Sequence, residues 1–288
     1  MNNLATNWHR EVSSGERFRF GANWAAFLKR ITTEDIELAE RSLRTMLEIE
    51  RLDDETFLDI GSGSGLFSLA ARRLGARVTS FDFDPQSVAC TSELKRWFFA
   101  GDPQWDVGQR SILEGDWFAG LGTFDVVYSW GVLHHTGRLW DAMENTVQLV
   151  SPGGLLFIAI YNDQGRASRM WTKVKRAYVR APATLKWAVL LPAFVLLWGP
   201  SFVRDTVTGR PLRTWKGYTA RGMDPWRDVV DWVGGYPFEV ARPEEIFEFC
   251  RAYGFELRKL KTCAGGHGCN EFVFIRSHQR QRGSANKP

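Results

Sequence analysis

The stretch Phe57-Leu58-Asp59-Ile60-Gly61-Ser62-Gly63-Ser64-Gly65-Leu66-Phe67 decides the fold. A short apolar run with an acid near its end breaks into three alternating glycines. Apolar residues then return at helical spacing, Leu66, Leu69, Ala70 and Leu74. The pattern predicts strand, tight turn, helix. Glycine suits such a turn because the backbone can require positive φ and a ligand must approach without meeting a Cβ. The N–H groups that open the helix point at whatever docks, favouring a polar or anionic group. A second strand, Arg77-Val78-Thr79-Ser80-Phe81-Asp82, ends on an acid 21 positions after Gly61. A carboxylate so placed can accept both hydroxyls of a ribose.

Outward from this pair, strands are predicted at 56–60, 77–82, 104–107, 124–130 and 154–161, with helices at 65–74, 85–100 and 138–150. Strands alternating with helices specify a parallel sheet covered on both faces. Ligands in such sheets bind beyond the carboxyl ends of the strands. Asp59, Asp82 and the segment 128–135 converge there.

The ligand class follows from the glycine spacing. The dinucleotide pattern G-x-G-x-x-G fails, because its third glycine would fall on Leu66 or Ser68, and there is no G-x-x-x-x-G-K-[ST] phosphate loop. D-x-G-x-G-x-G with a following acidic strand end instead resembles the class I S-adenosylmethionine (SAM) methyltransferases. A second stretch carries the same resemblance: Phe124-Asp125-Val126-Val127-Tyr128-Ser129-Trp130-Gly131-Val132-Leu133-His134-His135 is similar to the fourth strand and following loop of that superfamily.

The resemblance implies an α/β, Rossmann-like seven-stranded sheet with SAM as cofactor. It implies that Asp59, Gly61, Ser62, Gly63 and Gly65 accommodate the amino-acid end of SAM and that Asp82, with Phe83 beside it, holds the ribose. Glu114, or failing it Asp116, would meet the adenine amino group. Ile112, Leu113 and Trp117 would flank the ring, and Trp130 would line the pocket from its strand end. The polar strand end Tyr161 and Asn162 would face the acceptor. The turn containing Tyr236 and the loop containing His267 are further acceptor-side candidates.

His134 and His135 sit where an acceptor's proton has to go. An unperturbed pKa near 6.5 suits histidine to general-base work; the alternative is that they pack or cap the next helix. Adjacent histidines rarely aim at one ion. Cys263, His267 and Cys269 lack a fourth ligand, so no metal is expected.

The rest of the chain divides as follows. Residues 1–54 read as an N-terminal helical cap: 1–20 without a clear period, a short aromatic helix at 21–30, and a helix opened by Thr32 with Asp35 as capping-box partner. In the cap, Asn23 and Trp24 are candidates for packing or for touching a ligand. Residues 55–162 form the core, and 163–242 a helical insertion after the fifth strand. Residues 243–276 supply a closing helix (243–253) and antiparallel strands (255–262 and 271–276), and 277–288 a disordered tail. The insertion opens with Arg166, Arg169, Lys173, Lys175, Arg176, Arg180 and Lys186, then an apolar run at 187–199. Thirteen residues with an internal proline are too few to span a bilayer. Three uses stay open: peripheral membrane contact, a lid over a hydrophobic acceptor, or a buried helix. Asp224, Asp228 and Asp231 share one helix face, read as solvated with Asp224 as N-cap.

A net charge of +4 is too weak to argue for nucleic acid. Four cysteines without a C-x-x-C pair suggest reduced thiols, and the first residues lack the apolar core of a leader, so a cytoplasmic location is expected, with membrane association through 187–199 as a variant. Thirteen tryptophans fit either a bulky core or a flat, greasy ligand. The nearest resemblance is to ubiquinone-biosynthesis-type small-molecule O-methyltransferases. It implies an enzyme that moves a methyl group to a hydrophobic or phenolic hydroxyl of a small-molecule acceptor and releases S-adenosylhomocysteine. The alternatives are N- or C-methylation of a natural product or sugar, or a non-catalytic SAM-binding protein.

Overall fold

The computed structural model describes residues 3–114, 120–219, 225–266 and 268–278. Among these, seven strands form one sheet: β1 (Thr56–Ile60), β2 (Arg77–Asp82), β3 (Trp105–Gln109), β4 (Phe124–Trp130), β5 (Val150–Tyr161), β6 (Phe255–Lys261) and β7 (Cys269–Arg276). Their order is β3-β2-β1-β4-β5-β7-β6. The pairs from β3 through β5 are parallel, while β7 runs antiparallel to both β5 and β6. The order in which successive strands are added reverses between β1 and β4, which is the switch point where such sheets bind ligands.

Side chains alternate between the two faces with the period of a strand. On β1, β4 and β5, Phe57, Val126, Tyr128, Leu155 and Phe157 enter one buried cluster. Leu58, Val127, Leu156 and Ile158 enter the other. The first cluster is closed by α3 (Thr33–Leu47), α4 (Leu66–Arg73) and α5 (Pro85–Phe98), through residues such as Leu43, Leu69 and Leu94. The second is closed by α6 (Leu139–Gln148) and α11 (Pro243–Ala252), through Met143, Val147, Ile246 and Phe249.

The chain falls into two compact units. The first comprises Met1–His9, Arg19–Gly165 and Glu239–Pro288, and contains the sheet. The second comprises Arg10–Phe18 and Arg166–Phe238. It holds α7 (Arg166–Arg180), α8 (Lys186–Val207), α9 (Arg213–Thr219) and α10 (Pro225–Gly234).

Strands 56–60, 77–82 and 124–130 stand where the sequence placed them; β3 is shifted to 105–109 and β5 begins earlier, at Val150. Thr32 accepts from the Asp35 N–H at 3.2 Å while the Asp35 carboxylate accepts from the Thr32 N–H at 2.8 Å, completing the capping box. Three expectations fail. Residues 1–20 are not aperiodic, because Asn3–Ser13 forms helix α1, with Leu4, Trp8 and Val12 one turn apart. The helix containing 187–199 has 22 residues and runs through Pro192 and Pro200, long and apolar enough to cross a membrane. It is also not a buried helix, since Leu190, Ala193 and Asp205 are its buried residues. Of the three aspartates, Asp224 lies outside the described residues and Asp228 is exposed as expected, whereas Asp231 is half-buried and its charge acts on Lys175, so the face is solvated only in part.

Candidate active site

The glycine turn joins β1 to α4. The N–H groups of Gly61 and Ser62 both donate to the Phe81 carbonyl, at 2.8 and 3.0 Å, which clamps the turn to the end of β2. Gly61 has φ +78, and a Cβ there would lie 2.4 Å from Val132, the residue that follows β4 and closes over the turn. Gly63 has φ +55, and a Cβ there would meet the Trp24 indole at 3.0 Å. Both the left-handed backbone and the close approach exclude a side chain at these positions.

Asp82 faces this turn. Its Oδ2 accepts from the Gly63 N–H at 3.0 Å and its Oδ1 from the Asp84 N–H at 2.8 Å, so the half-buried carboxylate is aimed along the glycine backbone. Asp84 caps α5 by accepting from Gln86, and also accepts from the Gly21 N–H at 2.8 Å. That bond ties the start of α2 (Gly21–Leu28) to α5 and sets Trp24 over the turn. Burial raises the Asp84 carboxyl against those donated bonds.

Asp59 does not reach the mouth of this site. It is 2% exposed and accepts a 2.5 Å bond from Ser68 Oγ, which is within 2.7 Å of Ser80 Oγ; Trp105 Nε1 donates to Ser80 Oγ at 2.9 Å. Burial pushes its pKa up to about 7; the Ser68 hydrogen bond opposes this and the charge of Asp82 adds to it. Asp59 is a support beneath the turn. Ile112 is likewise no ring wall: it is buried in the core, and its carbonyl accepts from Asn145 Nδ2 at 2.8 Å. Leu113 is half-buried against the same core, Glu114 is exposed at the chain's surface, and Phe83 is half-buried with its carbonyl accepting from Gln109 Nε2. Asp116 and Trp117 lie outside the described residues. Trp130 is 45% exposed at the end of β4.

On the far side of the switch point the two histidines differ. His134 is fully enclosed, its Nδ1 accepting from the Tyr161 N–H at 3.3 Å and its ring 4.0 Å from that of Tyr161. It locks the end of β5, which corrects its assignment as a proton acceptor for substrate. His135 retains 7% exposure, with Phe20 at 4.9 Å and Tyr161 at 5.5 Å. Asn162 Oδ1 accepts from Asn270 Nδ2 at 3.0 Å, and Asn270 Oδ1 accepts from the Cys263 N–H at 3.1 Å, which fixes the loop beside β7. His267 lies outside the described residues. Tyr236 belongs to the second unit, where its hydroxyl accepts from Arg176 Nε at 3.0 Å and its ring carries that guanidinium at 5.6 Å. Among the described residues no group of three His, Cys, Asp or Glu could hold a metal ion.

Sequence reasoning missed Asp84, Asn270 and Glu239. The Glu239 carboxylate accepts from the Leu139 N–H at 3.0 and 3.1 Å and its N–H donates to the His134 carbonyl, so it caps α6 and steadies the histidine turn. A capping acid 100 positions away leaves no local signal.

A methyltransferase domain model matches residues 58–156, which spans the glycine turn, Asp82 and the histidine turn. Residues 58–156 thus match a methyltransferase domain, and the chain is similar there to the class I SAM-dependent methyltransferases. It is 29% identical over 161 residues to a ubiquinone biosynthesis O-methyltransferase of Caulobacter vibrioides, covering 54% of this chain and 59% of that one. It is 31% identical over 130 residues to the Rhizobium johnstonii protein of the same name, covering 45% and 48%. The chain thus spans about half the length of the curated relatives it matches. Among solved structures, an O-methyltransferase family protein from Burkholderia thailandensis aligns over 94% of this chain and 68% of its own, with TM-score 0.55 at 15% identity. The [4+2]-cyclase SpnF aligns over 84% and 81%, with TM-score 0.50 at 13% identity. That pair shows the fold, and a cyclase among the neighbours shows that the fold alone does not fix the reaction.

Proposed function

We propose that this chain uses SAM to methylate a hydroxyl on a small hydrophobic or phenolic acceptor, with S-adenosylhomocysteine as the second product. The observation that carries the reading is the Asp82 carboxylate aimed along a side-chain-free glycine turn at the switch point of the sheet. A Cβ at Gly61 or Gly63 would fill that cradle, and the acid beside it has the chemistry a ribose needs, so the residues fit the cofactor.

When bound, SAM supplies a sulfonium-activated methyl group for in-line displacement. Gly61, Ser62, Gly63 and Gly65 offer backbone to its amino-acid end, and Asp82 takes the ribose hydroxyls. Phe83, Leu113 and Trp130 exclude water around it, and Glu114 meets the adenine amino group. Asp59 acts from below by holding Ser68 and the turn. His135, the less enclosed of the two histidines, would take the proton of the acceptor hydroxyl as that oxygen is methylated. Aligning the two reactants supplies most of the acceleration available to such a reaction. Tyr161 and Asn162 border the acceptor. In this reading the acceptor is lipid-like, and the 187–199 segment meets a membrane peripherally.

The test is transfer of radiolabelled methyl from SAM into a cell extract, followed by organic–aqueous partition. Label in the organic phase supports a lipid-like acceptor. Label confined to the aqueous phase replaces that acceptor with a polar metabolite, and no label in either phase despite SAM binding refutes turnover.

A further inference from the structure

The second unit concentrates the chain's positive charge. Residues 166–238 contain thirteen Lys and Arg against four Asp, a formal +9 in a chain whose total is +4. Five of those cations, Arg166, Arg169, Lys173, Arg176 and Arg180, stand exposed on α7 at spacings of three and four residues, which puts them on one face. The opposite face buries Ser168, Trp171, Lys175 and Tyr178. No ion pair engages Arg166, Arg169, Lys173 or Arg180 among the described residues.

The same unit bares an apolar helix directly after this cationic one. Leu185, Trp187, Leu191, Val195, Leu196 and Val203 are 48–65% exposed. Lys186 lies over the Tyr178 ring at 4.9 Å and pins the corner where α7 turns into α8. The other side of α8 is occupied. Phe194 packs against Trp215 and Trp226 at 6.0 and 5.6 Å, and Asp205 accepts from the Thr214 N–H at 2.6 Å. A helix fastened in this way to Thr214, with Arg213 and Lys216 exposed beside it, cannot enter hydrocarbon without drawing those groups in. Its length therefore does not make it a span. A nucleic acid would answer the cations and leave the aliphatic face in water. Only a surface that is both anionic and greasy answers both features, and a tryptophan at the boundary is where such surfaces favour one.

We propose that the α7–α8 corner docks on an anionic lipid bilayer, with α8 lying at the acyl boundary and the α7 cations on the headgroups. This deepens the membrane part of the proposed function, and docking itself requires neither cofactor nor turnover. Each Lys or Arg near an anionic surface is worth roughly a fivefold gain in partition.

The experiment is flotation of the full chain, without SAM, on vesicles of phosphatidylcholine alone and of phosphatidylcholine with two-fifths phosphatidylglycerol. The chain is expected to float with the anionic vesicles and to stay at the bottom with the neutral ones. Arg166→Gln/Arg169→Gln/Lys173→Gln should lower the partition roughly 100-fold, three such losses multiplied, and Trp187→Ser/Leu191→Ser should abolish flotation. All five side chains are exposed, so SAM affinity and near-ultraviolet circular dichroism should match the parent. Failure of the parent to float, equal flotation on neutral vesicles, or retention after alkaline carbonate each overturns the proposal. So does a dimer in light scattering that Trp187→Ser/Leu191→Ser dissociates, because a second copy would then cover the face. Methyl transfer measured on the non-floating variants separates docking from turnover.

Discussion

Replacing Asp59 by asparagine tests whether the acid beneath the glycine turn is held there at a cost. The side chain is 2% exposed, and its pKa in the folded chain is pushed from the ordinary 3.8 to about 7, burial being the largest cause. In the unfolded chain the group ionises near 3.8, so folding at low pH buries a neutral acid and folding above pH 7 buries a charge. The group's contribution to stability is thus fully present below about pH 4 and is lost as pH rises through about 7. At 1.36 kcal/mol per pKa unit the full difference is about 4 kcal/mol, of which about 1.6 kcal/mol is already lost by pH 5. The amide of the variant never ionises. Hydrogen exchange of β1 and β2 amides, compared between parent and Asp59→Asn at equal pH, gives the local free-energy difference without assuming that both units unfold together. Moving from pH 5 to pH 8, that difference should shift by about 2–3 kcal/mol in favour of the variant. A shift under about 0.5 kcal/mol would show that Asp59 titrates as an ordinary acid and would refute the argument.

Lys175 is the converse case in the second unit. It is fully enclosed, donates to the Trp232 carbonyl, and burial lowers its pKa from 10.5 to about 7. The charge it carries below pH 7 is opposed by burial and offset in part by the Trp232 and Phe238 rings at 4.3 and 4.5 Å and by Asp231. Lys175→Met should therefore stabilise α7 and α10 by about 1–3 kcal/mol at pH 6, with the gain vanishing as pH approaches 10.5, read by exchange of their amides. Gly63→Ala should cost about 1–2 kcal/mol and weaken SAM binding, since φ +55 is strained for alanine and the new methyl meets Trp24 at 3.0 Å; calorimetry and thermal melts check both.

The parallel core was legible because its signals are local. Buried strands 56–60, 77–82 and 124–130 are short apolar runs ended by acid or glycine, and the glycine turn announces itself by spacing alone. What the sequence could not convey is which side of a residue meets the partner. Asp59 and Ile112 sit in the right segments and point into the interior, where Ser68 and Asn145 hold them. His134 and His135 are neighbours of identical type, and only the packing of Tyr161 separates the enclosed ring from the one with exposed surface. Asp84 and Glu239 act on N–H groups 63 and 100 positions away, beyond any window of local pattern. In α8, the apolar run gave no sign that Leu190 turns inward while Trp187 and Leu191 turn out. The run 187–199 with its internal proline read as too short to span, yet the helix continues through Pro192 and Pro200, with Phe194 and Trp198 packed on Trp215.

The central claim is that Asp82 and the glycine turn form a SAM site. The direct measurement is calorimetric titration of the parent chain and of Asp82→Ala with SAM. Charge-assisted bonds to two ribose hydroxyls are worth about 1.5–3 kcal/mol each, so the loss of either weakens binding at least tenfold. The account requires saturable binding by the parent and a loss of at least that size in the variant. Unchanged affinity in Asp82→Ala, or no binding by the parent, would contradict it.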